Sequence, residues 1–184
     1  GKGLDLMAAR ASALMEAIES YHAERFEQPL RLASYDYMVE HHPTVDVERL
    51  PRVATGLYDR HKKVLWAEGT DLLSGGPRWV PYEMVHTDFT LPLPAGSGSF
   101  IMSSNGLASG NHPLEAISHG LCEVVERDAM ALWDLARGST RREGRVALST
   151  VDDEDCRHVV DRLEAAGVAL GVWDMWETEG VDPY

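Results

Sequence analysis

Cysteine is scarce in this chain. Cys122 and Cys156 are the only two among 184 residues, and they form neither a metal-ligating pair nor the disulfide framework of a small secreted domain. A reducing cytoplasm is the expected setting. Long apolar runs are missing too: nothing approaches the ~20 residues of a membrane span, and no signal segment opens the chain. Positive charge is short as well. Seventeen Lys and Arg stand scattered among thirty Asp and Glu, for a formal net charge of −13. That balance excludes the clustered basic surface on which nucleic-acid binding depends. Two nucleotide motifs are also absent: no G-x-x-x-x-G-K-[ST] occurs, and no G-x-G-x-x-G follows a strand. A conventional phosphate loop and a dinucleotide fold are both excluded.

The composition that is present, 44% hydrophobic and 26% charged residues, is that of a globular protein with a core of its own. The run "LMAARASALMEAIESYHAERF" places Met7, Ala11, Leu14, Met15, Ile18 and Tyr21 at helical spacing, which predicts an amphipathic helix with that stripe packed inward. "VLWAEGTDLL" and "RWVPYEMVHTDF", separated by "SGGP", read as a hairpin or two adjacent strands. "TLPLPAGSGS" is a loop leading to a short strand at "FIM". Farther on, "RVALST", "DDEDCRHVVDRLEAAG" and "VALGVWDM" suggest a strand, a helix closed by Gly167, and a second strand in a βαβ unit. The fold class is therefore α/β in the broad sense, a mixed α+β arrangement with helices layered on a mixed sheet. The chain stops at "ETEGVDPY" without a closing element, as an incomplete domain would.

The stretch "SSNGLASGNHPLEAISHGLCEVVERDA" (residues 103–129) joins a glycine-rich loop to a helix with unusual charge placement. At ~100° per residue, Glu115, His119, Glu123 and Glu126 share one face, and Ile117, Leu121, Val124, Val125 and Leu132 lie opposite. The first helix repeats the device with Ser12, Glu16 and Glu19. The two segments align without gaps: 123 − 16 and 126 − 19 both give 107, and Gly3/Gly110 and Leu14/Leu121 keep that offset. Such a pair of helices could aim four carboxylates at one point. Hard divalent cations take oxygen ligands, and Mg2+ bridges carboxylates to substrate phosphates. Glycine loops let backbone N–H groups approach phosphate oxygens. On this reading Asn111 caps the second helix, Pro113 suits its first turn, and Lys2 and Arg127 supply cationic contacts. The site reads as one for Mg-nucleotide. A face of merely solvated carboxylates is the competing reading. His41 and His42 precede Pro43 without a third zinc-like ligand, and Cys122 reads as a packing thiol.

These stretches resemble the YcaO family. Residues 104–127 follow its pattern S-x-G-x-A-x-G-x-x-x-x-E-A-x-x-x-x-x-x-E-x-x-E-R, and "GKGLDLMAARASALMEAIESY" resembles its N-terminal GKG…A-x-x-SAL-x-E-x-x-E-R. The resemblance implies an ATP- and Mg2+-dependent enzyme, with a fold of its own and no phosphate loop, that activates a peptide backbone amide by phosphorylation. A side chain, sulfide or an amine then attacks, giving an azoline, a thioamide or an amidine. Carried over by position, Glu16, Glu19, Glu123 and Glu126 become the metal ligands, and Lys2, Ser12, Asn111, Glu115 and Arg127 the nucleotide contacts. Ser20 departs from the pattern, where an Arg is usual. The wording "SSNGLASGNH" is most similar to members that act beside a TfuA partner, which favours thioamide formation. Implied partners are a peptide or protein substrate, a TfuA-like protein and a second copy of the chain. Residues 1–184 would form the N-terminal part of one YcaO-like ATP-binding domain, inactive on its own. A nucleotide- or metal-binding module without chemistry, and a purely structural domain, remain alternatives.

Overall fold

The computed structural model describes residues 1–56, 58–135 and 144–175. They divide into two compact units, Gly1–Ala13 with Gly110–Tyr184, and Leu14–Ser109. Helix α1, Leu6–Glu24, crosses that division.

The unit Leu14–Ser109 is built on a small sheet. Strands β1 (Arg31–Ser34), β2 (Lys63–Thr70) and β3 (Pro77–Pro81) run antiparallel in the order β1-β2-β3. Trp66 of β2 faces Arg31 on one side and Pro81 on the other. Beyond β3 the chain at Thr44 pairs with Trp79 in a parallel bridge, so the sheet has the expected mixed character only at that margin. The β2–β3 turn is where the sequence predicts it. Asp71 Oδ1 accepts N–H bonds from Leu73 and Ser74 at 3.0 and 2.9 Å, and Gly75 takes a φ of 70° that glycine adopts without strain. Those backbone donors, first that of Ser74, hold the Asp71 carboxyl below its ordinary range.

Helix α2, Tyr35–His41, follows β1 directly, because Ser34 ends the strand and its hydroxyl accepts the Tyr37 N–H at 3.4 Å as an N-cap. Its inward residues, Tyr35 and Met38, join Ala33, Val47, Val64, Trp66, Trp79 and Phe100 in the core. Trp66 is wholly buried, and its indole N–H donates to the Ala33 carbonyl at 3.0 Å, which satisfies the one polar atom that burial would strand. The "FIM" stretch forms less than a strand, a single bridge between Arg52 and Phe100.

The other unit carries helix α3, Pro113–Leu135, and helix α4, Glu154–Ala165. Asp153 caps α4 by accepting the Cys156 N–H at 2.9 Å, and Gly167, at φ 74°, ends it as the sequence predicts. The βαβ expectation fails. The segments flanking α4 meet antiparallel at one bridge, Arg145 with Trp173. A 3-10 turn at Leu148–Thr150, closed by the Thr150 hydroxyl on the Ala147 carbonyl at 2.8 Å, ends the extended run before a strand can form. Trp176 and the chain beyond it lie outside the described residues. Cys122, expected to be a packing thiol, is exposed.

A second correction concerns direction. The apolar stripe of α1 points out: Met7 is 70% exposed, Leu14 66%, Ile18 49% and Tyr21 53%. The half-buried positions are Ala9, Ser12, Met15 and Glu19, with Ala23 buried. Helix α3 is divided, with Ile117 and Leu132 of its apolar stripe half-buried. Leu121, Val124 and Val125 are exposed, whereas Ala116, Ile117 and Glu123 are half-buried and Gly120 is buried. Hydrogen bonds from flanking loops to polar side chains, described next, turn the polar edge of α1 inward.

Candidate functional site

Each signature helix is entered from a glycine pressed onto its first turn. A Cβ on Gly3 would lie 2.4 Å from the Ala9 nitrogen, and one on Gly110 would lie 2.7 Å from the Ala116 nitrogen. Neither contact is tolerable, so both positions require glycine. Ala9 and Ala116 are themselves 107 residues apart, so the offset read from the sequence returns as one packing device used twice. Gly110 has no positive φ; close approach, and not an unusual dihedral, demands glycine there.

The expected nucleotide contacts are mostly engaged in holding these loops. Ser12 accepts the backbone N–H of Lys2 at 3.1 Å, which folds the "GKG" segment back over α1. Asn111 does not cap α3. Its N–H donates to Glu115 Oε2 at 3.1 Å, and its side-chain amide lies 3.4 Å from both Glu115 oxygens. The cap falls one residue later, on His112, whose Nδ1 accepts the Leu114 N–H at 3.1 Å. Pro113 then begins the helix, where the missing N–H costs nothing.

Among the expected metal ligands, Glu19 is half-buried and its Oε2 accepts the Ser109 hydroxyl at 2.8 Å. Glu123, with its side chain 20% exposed, lies 3.3 Å from the Arg127 guanidinium one turn on. Glu16 and Glu126 are exposed. Glu16 and Glu19 belong to one compact unit, Glu123 and Glu126 to the other. Within either unit, the described residues gather no three His, Cys, Asp or Glu side chains into a metal-binding group. The donor set still suits a hard cation, since every candidate ligand is a carboxylate. The two glycine positions are closed by the backbone of their own helices, so they fix the path of each loop.

Sequence reasoning missed Ser109, His112 and Glu83. Ser109 occupies an unspecified position of the signature. Glu83, 5% exposed, accepts backbone N–H bonds from Gly98, Ser99 and Phe100 and anchors the root of the segment that carries the glycine-rich loop. Lys62 adds a 2.9 Å bond to the Ser99 hydroxyl. The available signal was one acid inside the apolar run "WVPYEMV", because a carboxylate in such a run needs interior partners.

Comparison with known proteins bears on this arrangement. The family model described as "YcaO cyclodehydratase, ATP- and Mg2+-binding" matches residues 1–181. An uncharacterized protein in the tfuA 3′ region of Rhizobium leguminosarum bv. trifolii is 37% identical over the whole chain, which covers 43% of that protein. A Methanothermobacter thermautotrophicus protein is 34% identical over 98% of the chain and 45% of its own length. The chain thus spans less than half the length of these relatives. Among solved structures, a heterocyclase in complex with substrate and cofactor superposes with a TM-score of 0.73 at 21% identity, over 95% of this chain and 25% of that one, a likeness of fold. YcaO from Methanopyrus kandleri bound with AMPPCP and Mg2+ gives 0.53 at 26% identity, over 77% of this chain and 36% of that one. With the family match running nearly end to end, the chain belongs to the YcaO family, whose ligands are ATP and Mg2+.

Proposed function

We propose that the full-length protein uses ATP and Mg2+ to activate a backbone amide of a peptide or protein, and that sulfide replaces the amide oxygen to give a thioamide. ATP, when bound, supplies the phosphoryl group that turns the amide oxygen into a leaving group. The observation that carries this reading is the family match over residues 1–181. The tfuA-linked relative supports thioamide formation over azoline formation, and supports a TfuA-like partner. The whole protein acts in the cytoplasm; among the described residues no helix is long and apolar enough to cross a membrane.

In this reading Glu16, Glu19, Glu123 and Glu126 hold Mg2+, their oxygens being the hard donors it selects. Lys2, Ser12, Asn111, Glu115 and Arg127 face the nucleotide. Ser12 and Glu115 keep the two loops against their helices, and Lys2 and Arg127 carry positive charge to offset the polyphosphate. A nucleotide-binding module without chemistry of its own is the second reading.

Comparative proteomics of a strain lacking the full-length gene tests the reading, and the substrate need not be identified beforehand. One peptide should lose a sulfur-for-oxygen mass difference in the deletion strain and regain it on complementation, but not with Glu123→Gln. A difference of one water would assign azoline formation instead. No mass difference, together with unchanged AMPPCP affinity in Glu123→Gln, would remove the enzymatic reading and the metal assignment together.

A further inference from the structure

We propose that Ser109 is a positioning residue for the metal ligand Glu19, and that this one hydrogen bond ties the metal half of the site to the glycine-rich loop. The inference rests on Glu19 being an Mg2+ ligand, as proposed above. Ser109 Oγ donates to Glu19 Oε2 at 2.8 Å, and the two residues are 90 apart in sequence. The bond therefore joins α1 to the end of the 103–110 loop, inside one compact unit.

A glutamate on a helix has three rotatable bonds, and its free carboxylate samples many directions. One hydroxyl donor on Oε2 restricts where that oxygen can sit. It leaves Oε1 and the second lone pair of Oε2 for a cation, since an ionised carboxylate offers about four acceptor sites. Partners that orient a ligand in this way typically set metal affinity by about ten- to a hundredfold. Ser109 also precedes Gly110, where a Cβ would lie 2.7 Å from the Ala116 nitrogen in the first turn of α3. A shift of the Glu19 carboxylate is thus transmitted to the loop through a single residue. Residues 98–100, ahead of the loop, are secured by Glu83 on their N–H groups, and Ser109 is a contact through which the metal ligand can act on the loop itself.

The test uses the full-length protein, with Mn2+ as the metal probe, titrated by electron paramagnetic resonance in the presence of AMPPCP. Ser109→Ala should weaken Mn2+ binding about tenfold or more, and Ser109→Thr, which keeps the hydroxyl, should restore most of it. In a Glu19→Gln background Ser109→Ala should add nothing, because the group it positions is gone. If Glu19→Gln weakens Mn2+ but Ser109→Ala does not, this inference is overturned and the metal assignment stands. If Glu19→Gln leaves Mn2+ affinity unchanged, the assignment of Glu19 itself fails and the inference with it. An equal loss from Ser109→Ala in both backgrounds, or a loss that Thr does not restore while melting temperature drops, would make Ser109 a packing residue only.

Discussion

His86 shows what a single side chain costs when it is buried without a full set of partners. It is wholly buried, its ring stacks on Tyr82 with centroids 4.0 Å apart, and Nδ1 accepts the Asp88 N–H at 3.2 Å. The neutral ring therefore carries its proton on Nε2, which has no hydrogen-bond partner. Burial pushes its pKa below the ordinary 6.5, with Asp88 and Glu83 pulling weakly the other way. Protonation is thus easier in the unfolded chain than in the folded one. Stability is complete above pH 6.5 and is lost as pH falls through the lower, folded value. We expect the melting temperature to decline between pH 7 and pH 5. His86→Phe, which keeps the stack on Tyr82, should flatten that decline; an unchanged pH slope in the variant would mean that other groups set it.

At the scale of elements, Glu83 links the 3-10 turn Tyr82–Met84 to the segment Gly98–Phe100. Glu83→Gln removes the charge and turns an amide N–H toward backbone donors, so it should cost about 2 kcal/mol, read as a lower urea midpoint. A midpoint equal to that of the unaltered chain would show the three bonds to be dispensable. No periodic pattern announces this tie, since it depends on the chain returning fifteen to seventeen residues later. What was legible were features with local causes: α1 and α3 from their spacing, the β2–β3 hairpin from "SGGP", and the end of α4 from Gly167. The pairing around α4 was not, because the Thr150 hydroxyl stops the strand from within. Nor was the outward direction of the α1 stripe. Periodicity says which residues share a face, and only the loops bonded to Ser12 and Glu19 say which face turns inward. Asn111 was misplaced by one position for a related reason, as the His112 ring outcompetes it for the first free N–H of α3.

For the molecule as a whole, the most informative surface is the one it leaves bare. Leu6, Met7, Leu14 and Ile18 on α1, and Leu114, Leu121, Val124 and Val125 on α3, are exposed in a chain that spans 43% of its Rhizobium relative. An exposed apolar stripe on a helix is ordinarily covered by further polypeptide. We expect the 184-residue chain alone to bind a hydrophobic dye and to self-associate, more so in high salt, which screens its net charge of −13. The full-length protein should do neither, and Leu121→Gln with Val125→Gln should quiet the short chain. Equal dye binding by both forms would mean that the stripe stays open in the longer protein. Each of these helices, then, faces two ways, with an acidic edge proposed for the metal and an apolar edge awaiting polypeptide. Under the proposed function, nucleotide at the acidic edge and polypeptide over the apolar edge would be linked through one helix, and any such linkage is reciprocal.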